Sequence, residues 1–151
     1  MKLLILELTQ ELFKSFGRLL EPFPGEIPEV AEEDFFNFYV IFKEFSKGWQ
    51  IGYLEQTGKY LKMLECHPTT PEVFIPLSGE AVLVLAINPE EEIIAFKLDK
   101  PIVLSRGIWH GVISLSKKSE ILIVENENVT DKFYSFREPL SDKSLEMNSY
   151  I

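Results

Sequence analysis

From Phe35 to Glu125 apolar and polar residues alternate with period two, and glycine, proline or asparagine keeps interrupting the run. Period two places successive side chains on opposite faces of a strand, so a chain of this kind builds sheets. The pattern predicts strands at Phe35–Phe45, Trp49–Leu54, Tyr60–His67, Val73–Leu77, Ala81–Ile87, Ile93–Leu98, Ile102–Leu104, His110–Leu115 and Ile121–Glu125. Lys47-Gly48, Thr57-Gly58 and Asn88-Pro89 mark turns between them. Many short strands at even spacing predict an all-β barrel or sandwich. Phe35–Phe45 is apolar on both faces, which places it between two layers or against a second subunit.

The first residues read differently. Lys2 to Leu6 predicts a short strand, and Thr9 an N-cap for a short helix that Gly17 ends. Three prolines and a glycine between Pro22 and Pro28 make an irregular connection. At 151 residues the chain reads as one domain. Residues 1–30 form an N-terminal strand and helix, 35–125 the barrel and 126–151 a C-terminal tail. In the tail, Phe133, Tyr134, Phe136 and Tyr150 suggest packing on the outside of the barrel or on a second copy. Together with Phe35–Phe45 they predict a homodimer.

Composition removes several function classes. A formal charge of −9 argues against nucleic acid, which needs a basic face. No apolar run is long enough to cross a membrane. Glu7 interrupts the apolar start before a signal-peptide core forms, and Cys66, the only cysteine, has no intrachain partner. These features predict a cytoplasmic protein.

The chemistry gathers in two stretches. In Glu65-Cys66-His67-Pro68-Thr69-Thr70-Pro71-Glu72, Glu65 and His67 share a strand face, the prolines bracket a turn, and Glu72 returns toward His67. Gly79 closes the following strand. Ser105-Arg106-Gly107-Ile108-Trp109-His110 carries the only other histidine, again after a glycine turn. Glu65, His67, Glu72 and His110 are predicted to converge in a barrel mouth and bind a small molecule. Two imidazoles with carboxylates suit Mn, Fe, Ni or Zn, and also suit metal-free acid–base chemistry. Two carboxylates in a low-dielectric mouth repel, and a divalent cation or Arg106 would relieve them. Cys66 and Lys62 fall on the opposite strand face. Trp109 either stacks on a ligand or packs in the core.

These stretches resemble the cupin superfamily. His67, Glu72 and Gly79 follow its first motif, with Glu65 at the place of the first histidine. Gly107 and His110 follow the second, with Ser105 at the place of a proline. The wording "ECHPTTPEVFIPLSGEAVLVLA", "RGIWH" and the opening "LTQELFKSFGRLLE" resembles the ureidoglycolate lyase family. Cys66 replaces an arginine common in that family, and Gly111 a second histidine. The resemblance implies a cupin-type antiparallel β-barrel with a short N-terminal helix, acting in allantoin breakdown to cleave ureidoglycolate to glyoxylate and urea. It implies His67 or Glu65 as base and His110 as acid. Arg106 would hold the substrate carboxylate, Trp109 would line the site, and any metal would sit on His67, Glu72 and His110. Other readings are a metal cupin acting on a different small acid or sugar, and a non-catalytic effector-binding cupin.

Overall fold

The computed structural model describes residues 2–147. Thr9 caps a single helical turn, α1 (Gln10–Phe13), by accepting a hydrogen bond from the Leu12 amide at 3.1 Å. The helix stops earlier than its glycine suggested. Gly17 instead opens a strand, at a point where a Cβ would lie 1.9 Å from the Val103 carbonyl oxygen of the neighbouring strand.

Fourteen strands follow one another among the described residues: β1 (Leu3–Leu6), β2 (Gly17–Leu19), β3 (Val30–Glu32), β4 (Phe36–Phe38), β5 (Trp49–Gln56), β6 (Tyr60–Cys66), β7 (Glu72–Ser78), β8 (Ala81–Ala86), β9 (Ile94–Lys97), β10 (Ile102–Leu104), β11 (Trp109–Ser114), β12 (Ser119–Asn126), β13 (Lys132–Ser141) and β14 (Leu145–Met147). One sheet has the order β13-β6-β11-β8-β9-β1-β14, the other β2-β10-β7-β12-β5, and β3 pairs only with β4. The two large sheets make the β-rich jelly roll of the cupins. Pairing is antiparallel except where β1 runs parallel to β9 and β14.

β8 is buried at every position. Its Leu83 and Leu85 join Phe13, Phe74, Phe96 and Ile102 in one apolar cluster, and its Val82, Val84 and Ala86 join Leu64 and Ile113 in another. Strand alternation thus divides the core into a layer on each face of the seven-stranded sheet.

Two expectations change. Phe35–Phe45 is not one long strand: only Phe36–Phe38 is strand, and the chain to Gly48 is irregular. Period two reports which way side chains face, but a strand also needs a partner for its backbone groups. Beyond Phe38 that stretch is held by side chains, with Arg18 Nη1 donating to the Ile41 carbonyl at 3.2 Å and Arg106 pairing with Glu44. The region after Asn126 is not merely a tail. β13 pairs with β6 and extends the seven-stranded sheet. Tyr134 and Phe136 pack against each other with ring centroids 5.8 Å apart, while Phe133 is exposed. Tyr150 lies outside the described residues.

Candidate active site

Two turns clasp each other and set the site. The chain leaves β6 at Cys66 and turns at Pro68-Thr69 before entering β7. The buried Thr70 hydroxyl accepts from the Asn126 amide at 3.1 Å, tying this turn to β12. Gly107 adopts φ 79, a left-handed conformation that favours glycine, and its amide donates to the His67 carbonyl at 3.1 Å. Arg106 Nε donates to the Thr69 carbonyl at 3.2 Å. The two sequence stretches are therefore bolted together, and His110 falls opposite Glu65 in the β11–β6 ladder.

The four predicted side chains converge. Glu72 Oε2 lies 3.1 Å from His67 Nε2 and 3.0 Å from His110 Nε2. Glu65 Oε1 lies 3.4 Å from His110 Nε2 and 3.8 Å from His67 Nε2. The imidazole centroids are 5.0 Å apart. His67, Glu72 and His110 are buried, whereas the Glu65 side chain is 43% exposed. His110 Nδ1 donates to the Ile108 carbonyl at 3.0 Å, so its Nε2 is aimed at the carboxylates. Phe74 meets the His110 ring edge-on, with centroids 5.7 Å apart.

Charge follows from this packing. Burial works against a charged His110, but the Glu65 and Glu72 carboxylates outweigh it and push the imidazole up to about 10. His67 is also raised: burial opposes its charge, and Glu72 more than compensates. Burial works against the Glu72 charge, yet His110 and His67 bring its carboxyl down to about 2. Burial pushes the Cys66 thiol up, in keeping with an inert buried cysteine on the opposite strand face.

His67 Nδ1, which faces Asp131 rather than the cluster, is buried without an aligned hydrogen bond, and so are Glu72 Oε2 and His110 Nε2, despite lying 3.0 Å apart. Nitrogen and oxygen atoms that crowd together in this way, rather than pairing off, suit a shared cation. Glu65 with His67 and His110, and His67 with Glu72 and Glu125, each bring three such atoms within 4.8 Å of one another.

Three neighbours were not singled out in the sequence. Glu125 faces Glu72 across the β12–β7 ladder and accepts from Gln50 Nε2 at 2.9 Å. Burial, then the Glu72 charge, pushes its carboxyl up. The phase of the Ile121–Glu125 strand already carried this signal, since Ile121, Ile123 and Glu125 share a face. Asp131 Oδ1 approaches His67 Nδ1 at 2.8 Å from the connection before β13, where no periodicity marks it.

The two predicted ligand contacts stand apart from the cluster. Trp109 neighbours His110 in β11, so alternation turns it to the other sheet face, where it meets Tyr134 with centroids 6.4 Å apart. Arg106 is half-exposed and pairs with Glu44.

A cavity of about 470 Å³ opens over the cluster, lined by Glu65, Glu72, His110 and Glu125, by Gln50, Tyr53 and Gln56, and by apolar side chains. A model of the ureidoglycolate lyase family matches residues 1–141. This chain belongs to that family. Ureidoglycolate lyase 2 of Rhizobium meliloti (strain 1021) is 34% identical over 73 residues, which make up 43% of this chain and 44% of that protein. The match thus spans less than half the length of that curated relative. Among solved structures, the capsular polysaccharide assembling protein CapF from Staphylococcus aureus superposes with a TM-score of 0.51 at 19% identity, covering 60% of this chain and 27% of that one. That likeness is one of fold.

Proposed function

We propose that this chain is a ureidoglycolate lyase, cleaving ureidoglycolate to glyoxylate and urea, and that Glu65, His67, Glu72 and His110 carry the reaction. The observation that carries this reading is the buried His110 imidazole, held protonated against two carboxylates at the wall of a small-molecule cavity. Ureidoglycolate is a carbinolamine. Its cleavage needs a base at the hydroxyl and an acid at the leaving nitrogen. The base removes the hydroxyl proton, the carbonyl forms as the C–N bond breaks, and the bond electrons pass to the urea nitrogen, which takes a proton.

His110 suits the acid, because an imidazole raised to about 10 holds its proton at neutral pH. Of the two candidate bases, Glu65 fits better than His67. It is a partly exposed carboxylate on the cavity wall, whereas His67 is raised by its neighbours and holds its own proton more tightly. Glu72 anchors both imidazoles.

The cavity lining among the described residues contains no lysine or arginine. The substrate carboxylate would therefore meet the positive His110 imidazole. Arg106, paired with Glu44, would serve at most from the rim. In a metal-loaded form, a divalent Mn, Fe, Ni or Zn ion held by His67, Glu72 and His110 with Glu65 alongside would take the place of the His110 proton, and the ion rather than His110 would supply the positive charge that polarises the substrate hydroxyl. We read the protein as a cytoplasmic homodimer. The hairpin β3–β4 supports the dimer, since every residue of both strands is exposed, Val30, Phe36 and Phe38 among them.

The test is release of urea from racemic ureidoglycolate, with and without added Ni or Mn. Wild type should release urea, and His67→Ala and His110→Ala should each lose on the order of 10²–10⁴-fold. Wild-type protein that releases none under any of these conditions would sink the assignment.

A further inference from the structure

Five strands enter the cavity, and each presents two residues on one face, two positions apart. Gln50, Glu65, Glu72, His110 and Glu125 form a polar layer. Gly52, Met63, Phe74, Val112 and Ile123, their neighbours two residues along, form a second layer, and both line the same cavity. The ladders hold the layers in register. Gln50 and Glu72 both lie opposite Glu125 on β12, while Gly52 and Phe74 both lie opposite Ile123. Two residues of strand separate the layers by roughly 7 Å.

The second layer has no ionisable or hydrogen-bonding side chain. It also has a gap. Gly52 is its one position without a side chain, and a Cβ there would meet only Ile123 Cβ, at 3.9 Å. An apolar recess therefore adjoins the charged cluster. The ureidoglycolate skeleton is polar throughout and has nothing to place against it. Apolar walls in water gain only when an apolar group covers them.

We propose that this second layer is a subsite for an apolar substituent, and that the enzyme accepts ureido acids with a hydrocarbon group on the urea nitrogen distal to the bond that breaks. The identity of the polar head rests on the lyase reading above. The step balances as before. The hydroxyl proton goes to the base, the C–N electrons go to the proximal nitrogen, and the acid's proton goes to that nitrogen. Glyoxylate and an N-alkylurea leave, with the distal nitrogen and its substituent untouched. The ureido N–H groups would donate to the carboxylates of the polar layer, and the hydrocarbon would lie along Met63, Val112 and Ile123 beside Gly52.

The probes are urea, N-ethylurea and N-butylurea, titrated calorimetrically into the wild-type protein. A buried methylene strengthens binding by up to about fourfold, so N-butylurea should bind roughly tenfold or more tightly than urea. Gly52→Leu should fill the recess and bring the butylurea-to-urea ratio close to one, with thermal melting as the check on folding. Gly52→Ala adds a single methyl with ordinary clearance and should lower the same ratio in part, so the test survives if the leucine variant fails to fold. Equal affinities along the series, no measurable binding of any member, or an unchanged ratio in a folded Gly52 variant would overturn the subsite. Urea release from ureidoglycolate is read separately. Activity with a flat series keeps the lyase and removes the subsite, while a graded series without activity does the reverse.

Discussion

Glu72→Gln probes the electrostatics of the cluster directly. Glu72 is 6% exposed, and its carboxyl sits at about 2 rather than 4.5 because two imidazoles face it. The gap from 4.5 to about 2 corresponds to roughly 3 kcal/mol of folding stability. The raised His110 reports the same contact from the other side, so it is not added. A carboxyl depressed in the folded state stabilises the fold fully above about pH 4.5 and loses that contribution as pH falls toward 2. The assay is urea unfolding of chelator-treated protein, followed by circular dichroism, in steps from neutral pH to about pH 2. Other carboxylates also protonate over this range, and the raised Glu125 acts in the opposite sense, so the quantity to read is wild type minus variant. That difference should shrink by roughly 3 kcal/mol between about pH 5 and pH 2. Curves for wild type and Glu72→Gln that run parallel through this window would refute the pairing of Glu72 with His67 and His110.

Metal binding should release protons, because both imidazoles are raised and His110, at about 10, is protonated at neutral pH. Titrations with Zn or Ni in buffers of different ionisation enthalpy should show at least one proton released per ion, the one His110 carries, with affinity rising as pH rises. Arg106→Ala breaks a half-exposed pair with Glu44, so it should cost no more than about 1 kcal/mol in thermal or denaturant unfolding. It should raise KM only modestly and leave kcat near wild type. Light scattering at micromolar concentration should give a dimer mass, and replacing Phe36 and Phe38 together by serine should shift it toward monomer.

Much of the molecule was legible in the linear sequence because strand phase is a local property. Ile102–Leu104 occurs as read, and the strands from Trp49 to Glu125 fall within a residue or two of the expected limits. Phase alone put Glu65 with His67 and turned Cys66 and Lys62 away. It also contained Glu125, had the alternation been followed to the end of its strand. The capping role of Thr9 depends on three residues and was equally readable.

Where strands find partners is not local, and only the tertiary structure decided it. Phe35–Phe45 has the alternation of a strand, but most of it meets no backbone to pair with. β13 lacks a clear alternation and still pairs, because the free edge of β6 is beside it. Asp131 reaches His67 only because the connection into β13 passes over the first motif. Arg106 sits in the second motif, yet its guanidinium goes to Glu44, 62 residues earlier in the chain. The charge state of His110 belongs to the same category: an imidazole carries no sign of its eventual value until burial and two carboxylates from other strands surround it.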